Sequence, residues 1–291
     1  MHPRTRKKLI IVTGLQRSGN HAVINWILSL FSNVLFFNDQ PHDLFLCDPK
    51  CANLNAKYNE ISCLVISFED SRGRTLSENR VLIEDIAWPE PDMCESREIH
   101  RLYVLRDPYN TWASRIAARA RVKQGKHGLT SNPSWELFRA NWLAIARHQA
   151  LAPDECILFN CWKTDAKYRR FICAGLDGEY SEETLDQVLG IGGGSSFEGW
   201  QRPTFGQIVQ RIPRYLSFKF IGSFAGRPGE YLQKLLNPRV RGTQLQVNER
   251  WRFLFESEEG CRIFCDDEIR AESLRIFGFA FSRDGTRITA R

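Results

Sequence analysis

Short apolar runs alternate with helical stripes along most of this chain. The first pair organises the rest. Leu9-Ile10-Ile11-Val12 is a β-branched run with no polar alternation, the composition of a parallel strand buried on both faces. A turn follows, Gly14-Leu15-Gln16-Arg17-Ser18-Gly19. Val23, Ile27, Leu30 and Phe31 then recur at helical spacing. Strand, glycine-bearing loop with a cation, then helix: this order builds an anion cradle. The N–H groups of a helix's first turn point out of its end, toward whatever the loop holds.

The same alternation predicts further elements. Val34–Phe37, Cys63–Phe68, Leu102–Leu105 and Cys156–Phe159 read as strands, and 80–86 as a weaker one. Residues 43–60 and 88–98, the latter with Pro89 and Pro91, read as loops. A helix is expected from Tyr109 or Asn110, carrying Trp112, Ser114 and Ile116. Ser134 is the expected N-cap of a helix with Trp135, Phe138, Trp142, Ile145 and Ala146 on one stripe. Helices are also expected over 165–174, 181–189 and most of 257–277. Single apolar runs, each followed by a helix, argue for a parallel α/β sheet covered on both faces. Ligands of such sheets bind at the C-terminal strand ends. The 14–21 loop, Glu69-Asp70 and Arg106 all fall there.

Composition narrows this only slightly. The chain has 291 residues, 43% hydrophobic and 25% charged, so one large domain can bury its core without staples. We expect a single domain over 1–291 with a mobile tail at 282–291. The net charge of +6 suits an anionic ligand without identifying one. Nine cysteines are an odd number, and the pairs Cys47/Cys51 and Cys261/Cys265 have a spacing that matches no strong zinc pattern. Free thiols and no metal are the expectation. The apolar run after the basic N-terminus is too short for a signal segment, and no stretch reaches the ~20 apolar residues of a membrane span. A cytoplasmic protein without a membrane span is expected.

The loop has the Gly14 and Gly19 spacing of a Walker A motif, but Asn20 and His21 stand where Lys and Ser or Thr would be. In an NTPase the Lys reaches the outer phosphates and the hydroxyl holds Mg²⁺. A dinucleotide fingerprint fails as well, since position 16 is not glycine. What remains is a phosphate cradle with Arg17 inside it.

This segment resembles the 5′-phosphosulfate loop of sulfotransferases that use 3′-phosphoadenosine-5′-phosphosulfate (PAPS), which carry [K/R]-S-G between strand and helix. Arg106 to Ser114, RDPYNTWAS, resembles the family's 3′-phosphate motif: an Arg at a strand end and a Ser eight residues later on the next helix. The two matches cover roughly 9–31 and 101–116. The resemblance implies a three-layer α/β sandwich with a central parallel sheet, of the P-loop-containing nucleotide-binding type. It implies a sulfotransferase moving a sulfuryl group from PAPS to a hydroxyl or amine acceptor, a small molecule or a glycan, with no metal and no nucleic-acid partner. Arg17 would stabilise charge on the leaving phosphate. Gly14, Ser18, Gly19, Asn20 and His21 would hold the 5′ end; Arg106 and Ser114 would hold the 3′-phosphate. Asn20-His21 departs from the family's usual hydroxyl residues. Glu69 is the first candidate for general base, with Asp70, Asp39, His21, Glu84 and Asp85 as rivals. Ser195 and Ser196, in the Gly192–Phe197 loop, are candidates for a closing phosphate contact. Arg250-Trp251 could meet the 3′-phosphate and adenine, and the basic run 115–126 an anionic acceptor. Two other readings remain open: a P-loop nucleotide kinase or NTPase, and a non-enzymatic polyanion-binding module.

Overall fold

A computed structural model describes residues 7–38, 61–70, 97–123, 134–185 and 250–290. All of them belong to one compact unit, 1–196 with 247–291. Its centre is a five-stranded sheet in the order β2-β3-β1-β4-β5, every pair parallel. The strands are β1 (Lys7–Gly14), β2 (Val34–Phe37), β3 (Cys63–Glu69), β4 (Arg97–Leu105) and β5 (Cys156–Leu158). The order turns at β1, whose chain leaves for β2 on one side while β4 lies on the other. That places the loop after β1 at a switch point, where an open parallel sheet leaves a crevice.

Helices cover both faces, because both faces of the strands are apolar. Ile10, Val12, Val65, Leu102 and Val104 point to one side. There they pack with Val23, Trp26 and Ile27 of α1 (Asn20–Ser29) and with Phe159, Trp162 and Cys173 from later helices. Leu9, Ile11, Leu64, Ile66 and Phe68 cluster on the opposite side. On β4, Tyr103 faces away from Leu102 and Val104, and its ring lies 4.3 Å from that of His148 in α3 (Trp135–Leu151). Helix α3 therefore lies across the sheet from α1. The expected three-layer α/β fold is the observed one.

Helix α2 (Pro108–Lys123) leaves the end of β4. Helices α4 (Phe159–Thr164) and α5 (Ala166–Gly175) follow β5, and α6 (Asp267–Phe277) leads into a hairpin of β6 (Phe279–Phe281) and β7 (Arg287–Thr289). Local chemistry sets these boundaries. Ser134 caps α3 by accepting the Leu137 N–H, Asp165 caps α5 through the Lys167 N–H, and Asp266 caps α6 through the Ile269 N–H. Gly278, in the left-handed conformation, ends α6.

Three expectations need adjustment. β4 begins at Arg97, inside the expected loop, because its polar first half pairs with β1 from Lys7 onward and Lys8 bonds Glu98 at 3.1 Å. Phe159 opens α4 instead of ending β5. The stretch 257–277 is largely helical but interrupted at Asp266, which is extended to cap α6. Residues 183–185, expected to be helical, form a turn. The candidate strand at 80–86 lies outside the described residues.

Two cysteines report on the core. Cys63 and Cys156 sit on strands β3 and β5 beneath the helices, and burial pushes both thiols up to about 12. Cys265 is exposed. Iodoacetamide at neutral pH should therefore label Cys265 in the native protein and reach Cys63 and Cys156 only after denaturation, as read by peptide mass mapping. The same burial gives an alkaline limb to stability. Above the ordinary thiol value of 9.0 the unfolded chain loses these protons and the folded chain keeps them. Denaturant midpoints should fall as pH rises from about 9 towards 12.

Candidate anion site at the ends of β1, β3 and β4

Gly14 ends β1 directly opposite Glu69 of β3. The loop 15–19 then folds back on itself. Ser18 donates its N–H to the Leu15 carbonyl at 3.1 Å, and its hydroxyl lies 2.8 Å from the same oxygen and 2.7 Å from Asn20 Oδ1. Asn20 Nδ2 donates to the Leu15 carbonyl and to Glu69 Oε1, each at 3.1 Å. Asn20 and Ser18 are both buried. Asn20 thus spends both side-chain N–H bonds on shaping the loop. What it offers an anion is its backbone N–H, as first residue of α1.

Two glycines are required here. A Cβ on Gly14 would collide with the Asn20 amide. Gly19 has φ 97°, and a Cβ there would also strike the Phe159 ring at the start of α4. Arg17 itself adopts φ 71°, unusual for a side-chain-bearing residue, and its half-buried side chain stands at the crest of the turn.

The end of β3 holds the loop from its other side. Asp70 is fully buried; its Oδ1 accepts the Gln16 N–H at 2.7 Å and its Oδ2 accepts from Arg115 Nη1 at 2.6 Å. Glu69 faces α1 instead, with His21 Nδ1 at 3.7 Å from Oε1. Of the base candidates, Asp70 therefore has both oxygens committed. Glu69 and His21 stand together at the lip of the loop. Asp39, Glu84 and Asp85 lie outside the described residues, as do Ser195 and Ser196.

Arg106 emerges from the end of β4, buried at 3% exposure. Its Nη1 donates to the Arg17 carbonyl at 3.4 Å, and its guanidinium lies over the Phe159 ring. Burial pulls its pKa below the ordinary value, and the Asp107 carboxylate at 3.9 Å pulls it back up. An anion arriving at Arg106 would act as Asp107 does, offsetting the cost of burial by favouring the charged form. Asp107 has other duties. It accepts the Asn110 N–H at 2.8 Å, starting α2, and its Oδ2 accepts from Asn160 Nδ2 at 3.1 Å, tying β4 to α4.

Ser114 lies farther along α2, buried, and accepts from Arg250 Nη1 at 3.1 Å. The next residue, Trp251, donates its backbone N–H to Asn110 Oδ1, also at 3.1 Å. The chain around residue 250 is thus held against α2, bringing a second buried arginine to Ser114. Sequence reasoning offered Arg250 only as a candidate near the 3′-phosphate and had no signal for its bond to Ser114, 136 residues away. The bridging by Asp70 had no sequence signal, because its partners are 54 and 45 residues away.

Among the described residues no group of three or more His, Cys, Asp or Glu is placed to hold a metal ion, and no helix is long and apolar enough to cross a membrane. No protein-family model and no curated protein matches this sequence. A crystal structure of mouse sulfotransferase SULT7A1 complexed with PAP is similar to the chain at 15% identity, over 93% of this chain and 85% of that one, with a TM-score of 0.38. A likeness that slight decides neither fold nor activity.

Two substitutions test the loop's construction. Gly19→Ala meets both a left-handed backbone and the Phe159 ring, and should cost roughly 2–4 kcal/mol of stability. Asn20→Ala removes the bonds that the Asn20 amide gives to Glu69 and to the Leu15 carbonyl, and should cost about 1–3 kcal/mol. Urea denaturation checks both.

Proposed function

We propose that this protein is a sulfotransferase, moving a sulfuryl group from PAPS to a hydroxyl or amine acceptor. One observation carries the reading: buried Arg106, at the end of β4, reaches the loop through the Arg17 carbonyl at 3.4 Å, and buried Arg250 meets Ser114 further along α2 at 3.1 Å. That gives one ligand two cationic ends. PAPS has a matching pair, a 5′-phosphosulfate and a 3′-phosphate.

In this reading Gly14 and Ser18 shape the cradle, and the N–H groups of Gly19, Asn20 and His21 hold the 5′-phosphate at the helix start. Arg17 faces the bridging oxygen, where negative charge grows as the sulfur–oxygen bond breaks. Arg106, Ser114 and Arg250 take the 3′-phosphate. Glu69, at the lip of the loop beside His21, accepts the proton of the acceptor as its oxygen or nitrogen attacks sulfur in line. The bond from sulfur to the 5′-phosphate breaks as the new bond forms. The products are the sulfated acceptor and 3′-phosphoadenosine 5′-phosphate (PAP). Ser195 and Ser196 remain candidates for a contact closing over the nucleotide, and a small molecule or a glycan for the acceptor.

The kinase or NTPase reading fits less well. The positions that would supply a Lys and a magnesium-binding hydroxyl hold Asn20 and His21, and the Asn20 side chain is spent on the loop. A polyanion-binding module would present a solvated basic stripe, whereas Arg106, Arg115 and Arg250 are buried.

Calorimetry tests the reading. PAP should bind tightly in the presence of EDTA and 5′-AMP far more weakly. Arg106→Ala should weaken PAP by roughly 10–100-fold, the worth of charge-assisted hydrogen bonds. Arg17→Ala should keep PAP binding and lower turnover by about 10²–10³. Magnesium-dependent ATP binding without PAP binding would sink the proposal.

A further inference from the structure

Asp70 is a charged residue at 0% exposure that takes no part in the chemistry above. Its two oxygens reach two separate parts of the site. Oδ1 holds the backbone of the anion loop at Gln16, and Oδ2 holds Arg115 of α2. Arg115 is the residue after Ser114, and its guanidinium is further clamped over the Phe138 ring of α3 at 5.6 Å. One carboxylate therefore joins the loop bearing Arg17 to the helix turn bearing Ser114.

Stability alone is a poor reason for this pair. Taking two charges out of water costs about as much as their attraction returns, and apolar residues of similar volume often replace such pairs without loss. A carboxylate does what apolar packing cannot: it fixes direction and distance on both sides at once.

We propose that Asp70 is a specificity-determining positioning residue, setting the spacing between the loop and α2 so that the site selects nucleotides phosphorylated at both the 5′ and 3′ ends. The choice of ligand rests on the sulfotransferase reading; the link between loop and helix does not. Two phosphates fixed on one ribose gain from both subsites only when the subsites keep one separation. A nucleotide with a 5′-phosphate alone can follow a displaced loop. Loss of the link should therefore fall on selectivity and spare simple 5′-phosphate binding.

The test is the double variant Asp70→Leu with Arg115→Met, which removes both charges and leaves neither buried alone. Two quantities are read: amide hydrogen exchange at 16–18 in the ligand-free protein, and the Kd values of PAP and 5′-AMP by calorimetry. Exchange should accelerate about tenfold or more. PAP should weaken by about tenfold or more while 5′-AMP changes by less than about twofold. Arg115→Lys keeps the charge, loses the fork, and should move both readouts the same way by a smaller factor; it carries the test if the double variant does not fold. Unchanged exchange in a folded variant overturns the link, and equal weakening of PAP and 5′-AMP overturns its role in selectivity. If the wild-type protein binds no PAP, the nucleotide reading fails while the exchange measurement still decides the link.

Discussion

Two neighbouring carboxylates at the end of β3 hold the whole site in place. Glu69, the last residue of β3, and Asp70, just past it, follow each other in sequence and reach different partners. Glu69 binds the Asn20 side chain at the start of α1; Asp70 binds the Gln16 N–H and, across the crevice, Arg115 of α2. They add to the loop's own turn bonds and to the bond that Arg106 gives the Arg17 carbonyl. With them, the loop between β1 and α1 becomes a cradle preorganised before any ligand arrives.

The cradle has the spacing of a Walker loop but different electrostatics. Its cation, Arg17, stands within the loop at a left-handed position, and Arg106 braces the carbonyl behind it. Planar guanidinium groups give directional, paired donors to oxyanions and keep their charge when buried. Such a site suits a group whose transfer needs charge stabilised on a leaving oxygen. Buried Arg250, held on Ser114, adds a further cation along α2.

The sheet was legible because its strands are short apolar runs buried on both faces, and periodicity reads that directly. Leu9–Val12 and Cys63–Phe68 are such runs. β4 was half legible: Leu102–Leu105 is apolar, but Arg97–Arg101 is strand only because β1 pairs with it. The cap at Ser134 was also readable, since a side chain bonding an N–H three residues on is a local event. In the site, residue types and order pointed to Arg17, Ser18, Gly19 and Arg106. The bonds that join them are between residues far apart in sequence and leave no periodic trace. That is why Asn20 reads as a departure from a motif and proves to be the residue that knits the loop to Glu69. It is also why Asp70 reads as a rival general base and proves to be a brace.

The most direct test of the two-ended site is a crystal structure of the protein with PAP. The 5′-phosphate should lie within hydrogen-bond reach of the N–H groups of Gly19, Asn20 and His21, with Arg17 beside it. The 3′-phosphate should lie against Arg106 and Ser114. A nucleotide bound elsewhere, or held at the loop with its 3′-phosphate turned away from Arg106, would contradict the account.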